Sequence, residues 1–329
     1  VLFRSVNFSA TTIDVAAEKF TDAAGNTSIA ATQFNWTQDD TAPTVASFTT
    51  ATATGSYNQA EEIVITANTN EAIQSGNTIT VTLDTSDTVV LTAPSAGTTL
   101  VGTYTVGATD TSAGLTISSF TIGTVADTYG NAMSSTTLPA SGAIFGTKTI
   151  VIDTTAPTVA SFTTATATGS YNADEAIVIT ANTSEAIQND NTITVTLNTG
   201  DTVVLTAPSA GTTLVGTYTV GSGDTSAGLT VTSFTIGTVA DTAGNAMSST
   251  TLPAASSIFG TKTIVIDTAA PTAAITYSTT SPYNNTETVT ITATFNEAMA
   301  DSPVVKIALS GAATLTATEM SKERATEYR

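Results

Sequence analysis

The sequence predicts an all-β protein made of repeated modules, and three observations carry that prediction. Apolar and polar residues alternate strictly in short runs such as Thr78-Ile79-Thr80-Val81-Thr82-Leu83, which is the period of a half-buried strand. Thr supplies 77 of the 329 residues, and together with Val it dominates those runs; both fit a pleated surface well. Finally, residues 41–154 map onto residues 155–268 without a gap, at an offset of 114. Fixed self-similarity of this kind marks an array of domains and not one large globule.

Within the first whole copy, alternating or β-rich runs are read as strands over 44–53, 61–67, 78–83, 88–92, 100–106, 115–122 and 148–152. Turn signals separate them: Ser75-Gly76-Asn77, the stretch 84–87, Ala93-Pro94-Ser95-Ala96-Gly97 and the stretch 107–114. Some seven short strands in roughly 110 residues is the pattern of an immunoglobulin-like sandwich. No helix-period segment stands out. The differences between the copies fall almost entirely in turns and strand ends, for example Asp84 against Asn198 and Tyr129 against Ala243. Packed cores tolerate few volume changes, whereas exposed loops tolerate many.

The flanks extend the array. Residues 6–38 resemble the back half of an earlier copy, because Asp22-Ala23-Ala24-Gly25-Asn26 parallels the segments at 127–131 and 241–245. A diverged copy opens at Asp267 and covers 267–329. The expected organisation is a half repeat at 6–38, whole repeats at 39–152 and 153–266, and the front part of another at 267–329. Residues 1–5 (VLFRS) read as translated sequencing-adapter DNA and are set apart, and the chain as a whole reads as a piece of something longer.

Composition removes several classes of function. The chain has neither Cys nor His, so disulfides, thiolate zinc sites, Cys nucleophiles and His-dependent triads are impossible. Eight Lys and Arg against 27 Asp and Glu give a formal charge of −19, which repels phosphate backbones and argues against a nucleic-acid partner. No apolar run approaches the ~18 residues of a membrane-spanning helix. Only carboxylate, Ser-Lys or metal chemistry remains for an enzyme, and no arrangement for these recurs, so the chain is read as non-catalytic.

The linker at 153–159 (DTTAPTV), the Glu-Ala pairs Glu71-Ala72, Glu185-Ala186 and Glu297-Ala298, and the three D-x-x-G-N segments recur in one order at one spacing. This combination resembles the bacterial Ig-like repeats of large secreted or cell-surface adhesins, over essentially residues 6–329. The resemblance implies an extracellular or cell-surface rod that projects a distal binding region. It also implies stiffening by calcium at domain junctions, neighbouring repeats of the same chain as partners, and a host or matrix surface reached through other domains.

One constellation carries chemistry. In such a sandwich the incoming linker, the loop after the second strand and the loop before the last strand lie at the same end. In the first repeat these segments carry Asp39 and Asp40, Asn70 and Glu71, and Asp127 and Asn131. The second offers Asp153, Glu185, Asp241 and Asn245; the third offers Asp267 and Glu297 without a D-x-x-G-N partner. A hard cation such as Ca2+ takes six to eight oxygens from carboxylates, amides, carbonyls and water. The same residues also read as plain turn formers, since Asp opens turns and Asp-x-x-Gly-Asn is a turn in its own right. Asp40 is Thr154 and Thr268 in the other copies, so ligand number is expected to vary between junctions.

The remaining signals are weaker. Glu61 and Glu62 are adjacent, so they point to opposite faces of a strand, and Glu62 is Ala176 in the next copy. Lys148 and Lys262 are the sole lysines of the whole repeats and read as edge-protecting residues. Trp36 and Tyr57 read as core or junction packing. Two alternatives to a structural stalk stand beside it: a glycan- or protein-binding module, and a head-to-tail extracellular fibre in which the two partial repeats complete one sandwich between molecules.

Overall fold

The computed structural model describes residues 11–13, 15–32, 34–36, 38–278, 286–310 and 315–329. The stretch 1–5 lies outside them, as does the side chain of Trp36. Apart from single turns of 3-10 helix at Ser141–Ala143 and Ala255–Ser257, every regular element among the described residues is a β-strand. None of those residues lies in a helix long and apolar enough to cross a membrane.

The first whole repeat has eight strands: β1 (Val45–Thr50), β2 (Gly55–Tyr57), β3 (Glu62–Ile73), β4 (Thr78–Leu83), β5 (Thr88–Thr92), β6 (Gly97–Thr105), β7 (Ile117–Ile122) and β8 (Ile150–Ile152). Six of them form one sheet in the order β1-β3-β6-β5-β4-β7, all antiparallel. The remaining two, β2 and β8, pair in parallel. In a flat sheet β1 and β7 would stand five strand spacings apart, roughly 24 Å. Instead Phe48 of β1 and Phe120 of β7 meet edge to face with ring centroids 5.9 Å apart. The sheet therefore folds back on itself into two facing layers, with Phe48 and Phe120 between them.

The fold line runs between β5 and β6, which share a single register pair, Thr92 with Val101. Gly102 sits there because nothing larger fits: a Cβ at this position would lie 2.5 Å from the Val90 carbonyl oxygen. Alternation then fills the space between the layers. Along β3, Ile63, Ile65 and Ala67 point inward and are fully buried, and along β4 Ile79, Val81 and Leu83 do the same. Hydroxyl-bearing Thr80 and Thr82 take the outer positions. Burying branched side chains at about 25 cal/mol per Å² of apolar surface is the main force holding the layers together.

The second repeat reproduces this arrangement. Its six-stranded sheet runs Val159–Thr163, Ala176–Ile187, Gly211–Thr219, Thr202–Thr206, Thr192–Leu197 and Val231–Ile236, in that spatial order. Phe162 and Phe234 again lie 5.9 Å apart, and each buried hydrophobic residue of the first core has its counterpart in the second. The flanks are slighter. Residues Thr11–Ile13 pair with Phe34–Trp36. Toward the C-terminus, Ala273–Tyr277 and Ile291–Phe295 belong to a four-stranded sheet over a core of Ala293, Met320 and Tyr328.

Beyond shifts of a few residues at strand ends, three details differ from the sequence-based expectation. Strand β3 runs to Ile73, well beyond residue 67, so Asn70 and Glu71 stand on a bulged strand and not in a loop. The short strand β2 was not expected; three residues pairing in parallel with a distant strand leave no local periodicity. The last strand begins at Ile150, because Lys148 is engaged elsewhere: its Nζ donates to the carbonyls of Thr50 (2.9 Å) and Thr52 (2.7 Å).

Candidate functional site

Three chain segments converge at one end of each whole repeat. Pairing of β1 with β3 sets Val45 opposite Thr69. The link is tightened where Asn70 Oδ1 accepts from the Thr44 N–H (2.6 Å) and the Asn70 N–H donates to the Thr44 carbonyl (3.1 Å). The β3–β6 register shifts between Asn68 and Ile73, and this bulge releases Glu71 from the ladder; bulges commonly re-aim a side chain in this way. An isolated antiparallel bridge then joins Ile73 to Asp127. Gln74 reinforces it, donating from Nε2 to the Asp127 carbonyl (2.8 Å).

The result is a cluster of Asp39, Glu71 and Asp127 in which one carboxylate oxygen from each lies within 4.8 Å of the others. Asp153, Glu185 and Asp241 form the same cluster in the second repeat. In both, the third Asp is buried and its two partners are partly buried.

Asp127 is fixed by the turn that it opens. Its Oδ1 accepts the N–H groups of Tyr129, Gly130 and Asn131 at 2.6–2.8 Å. Its Oδ2 accepts from Asn131 Nδ2 at 2.7 Å. Gly130 supplies the left-handed backbone that this turn needs, at φ +99°. Burial pushes the Asp127 carboxyl up, but the donors from Asn131, Tyr129 and Gly130 together outweigh it and leave the carboxyl below its usual range. Glu185 is displaced the other way, raised first by burial and then by the neighbouring charges of Asp153 and Asp241.

Among the described residues, no basic side chain answers these charges. The ion pairs found among the described residues, Lys306–Glu319, Lys322–Asp301 and Arg329–Glu327, all lie in the C-terminal segment. The lysines of the whole repeats bind carbonyls instead. Chemically, the cluster is a set of hard oxygen donors around a small space, suited to a divalent cation of the calcium type.

The other residues singled out in the sequence take different places. Asp40 is exposed and accepts from Gln38 Nε2 (2.7 Å); it stands outside the cluster. Asn131 and Asn245 are present as donors: Asn131 Nδ2 also bonds the Asp39 carbonyl (2.8 Å), and Asn245 Nδ2 bonds that of Asp153 (2.8 Å). They tie the linker down through nitrogen. In the third copy, Asp267 is exposed and its Oδ1 accepts from the Ala269 N–H (3.1 Å). Glu297 Oε1 is buried without a hydrogen-bond partner. Neither belongs to a three-carboxylate group among the described residues.

Sequence reasoning missed Gln74 and Gln188, which brace the third Asp through its carbonyl. Their one signal was identity at the same offset in both copies. It also missed a second carboxylate feature: Tyr104 Oη and the Gly107 N–H both donate to Asp110 Oδ2 at 2.6 Å. The Tyr104 hydroxyl, and then the Gly107 N–H and Asp87, outweigh burial and hold the Asp110 carboxyl below its ordinary value. The Tyr104 phenol is pushed up by burial and by that same bond. Compared with known proteins, the chain matches no family and no curated protein.

Proposed function

We propose that the chain is a run of tandem Ig-like sandwiches that acts as a structural spacer, of the kind that forms the stalk of an extracellular adhesin-like protein. Calcium at the carboxylate clusters stiffens it. One observation carries this reading: the same three-carboxylate cluster recurs where the linker meets each whole repeat. In that position a bound dication cross-links the incoming chain to a strand and a turn of the domain. Asp39, Glu71 and Asp127 hold it in the first repeat, and Asp153, Glu185 and Asp241 in the second.

The donor set fits. All three side chains are carboxylates, none is paired with a basic residue among the described residues, and each cluster carries a formal charge of −3 when ionised. The ion supplies positive charge that relieves this repulsion, and the gain is larger where the ligands are partly withdrawn from water. Length is then the activity of the molecule. Each sandwich adds about 35–45 Å, judged from strands of ~7 residues rising ~3.4 Å each plus end loops. The linker prolines Pro43 and Pro157 restrict φ, and both are buried.

The test is thermal unfolding of the full chain in EGTA and in millimolar calcium. Saturation at about 100 times Kd stabilises a domain by about 2.7 kcal/mol, which corresponds to a rise of roughly 10 °C for a domain of this size. An unchanged melting temperature in millimolar calcium rejects the calcium reading.

A further inference from the structure

Between the whole repeats, residues 153 and 154 are bonded on both sides. The Asp153 N–H donates to the Tyr57 carbonyl (3.0 Å), and Thr154 Oγ1 donates to the Asp110 carbonyl (3.0 Å); both acceptors belong to the first repeat. The Asp153 carbonyl accepts from Asn245 Nδ2 (2.8 Å) in the second. Beside this strap the repeats touch directly: a Cβ on Gly244 would lie 3.1 Å from Asn58 Nδ2. Asn58 is half-buried, whereas its counterpart Asn172 is exposed.

None of these contacts uses a carboxylate oxygen of the clusters. We infer that the two repeats share an interface that holds without any ion, in which the Tyr57-Asn58 corner and the Asp110 carbonyl of one repeat receive the linker and the D-x-x-G-N turn of the next. The inference rests on reading the chain as tandem modules, but not on calcium. Hydrogen bonds withdrawn from water in this way each favour the joined arrangement. Several acting at one seam restrict both sliding and twisting.

The chain itself supplies two internal references. Thr268 repeats the first-repeat half of the latch at the following linker, donating to the Asp224 carbonyl (3.0 Å) and accepting from the Gly223 N–H (3.1 Å). Among the described residues, the turn at 127–131 repeats the other half with no repeat against it: no described atom lies within 4 Å of a Cβ built on Gly130, and Tyr129 is 70% exposed. Gly130 and Gly244 share nearly the same backbone, at φ +99° and +96°. They differ in whether a neighbour is present among the described residues.

That difference makes the experiment. The chain has no Cys, so Thr88→Cys and Thr202→Cys, both exposed strand positions, introduce one spin label on each repeat. Distances are measured by pulsed electron spin resonance on the full chain in EGTA, so the result does not depend on whether the clusters bind calcium. The expected parent result is one narrow distance distribution. Gly244→Asn, which keeps a residue type tolerant of positive φ but inserts a side chain against Asn58, should broaden or shift it. Thr154→Val should broaden it as well. Gly130→Asn should leave it unchanged while straining its own turn equally. A broad distribution for the parent overturns the inference. So does an equal response to Gly244→Asn and Gly130→Asn, which would assign the effect to turn strain.

Discussion

The two carboxylate clusters have the same residues in the same places, yet their surroundings differ. The second lies at a seam, with Gly244 against Asn58 and the linker bonded on both sides. The first has an open turn capped by the exposed Tyr129, where the second has Ala243. Beside the middle carboxylate, the first repeat has Asn70, whose amide reaches Glu71 Oε1 at 3.4 Å. The second has Ser184, whose hydroxyl takes the Thr158 N–H (3.0 Å) just as Asn70 Oδ1 takes that of Thr44, but which carries no amide to reach the neighbouring carboxylate. The cluster is therefore built by the fold of a single repeat: β1–β3 pairing, the bulge after Asn68 or Asn182, and the Asp turn. The seam is added to it.

The largest effect expected from this comparison is on calcium-dependent stability. Glu185→Gln should remove the roughly 10 °C calcium rise from the second repeat and leave that of the first intact. In EGTA the same variant should do the reverse and raise the melting temperature at pH 7. Glu185 is held above its ordinary pKa, so the folded repeat binds its proton more tightly than the unfolded chain does. Its contribution favours folding below about 4.5 and is lost as pH rises through the raised value. The gain from Glu185→Gln in EGTA should accordingly vanish below that ordinary value of 4.5. Asp127 has the opposite sign: its contribution is present above 3.8 and lost as pH falls through the lowered value.

Next in size are the elements that both repeats share. Lys148→Met and Lys262→Met each remove two charge-assisted bonds to strand-end carbonyls. Each should cost about 2 kcal/mol, equally in the two repeats, as read by chemical denaturation. A cost confined to one repeat would break the equivalence. Gly102→Ala should cost about 2 kcal/mol by overpacking the fold line against the Val90 carbonyl, and differential scanning calorimetry would show the first repeat melting alone. The smallest effect belongs to the visible difference. Tyr129→Ala should shift stability by under about 0.5 kcal/mol, as for exposed residues generally, because its ring is mostly in solvent. A large loss would mean that the first cluster depends on that ring.

Much of this was legible in the residues. The alternation of Thr and apolar residues over 78–83 and the β-rich run Thr88-Val89-Val90-Leu91-Thr92 located β4 and β5 to the residue, since both strands lie half-buried with one face on the core. The repeat fixed the register of the second unit from the first. The convergence of Asp39, Glu71 and Asp127 was expected from where strand ends fall in a sandwich. What brings Glu71 there is a bulge on a long strand, and neither the bulge nor the extension of β3 to Ile73 leaves a period-two signature. Nor could the sequence show that Asn131 and Asn245 act through their amide nitrogens, because an Asn offers donor and acceptor alike. The folding of one six-stranded sheet at Gly102 was hidden for another reason: a strand glycine signals a close approach without naming the neighbour.

Calorimetric titration of the full chain with calcium tests the central claim most directly. The account predicts two sites in the parent, one after either Glu71→Gln or Glu185→Gln, and none after both. Calcium heats that are unchanged in the double variant, or absent from the parent, would contradict it.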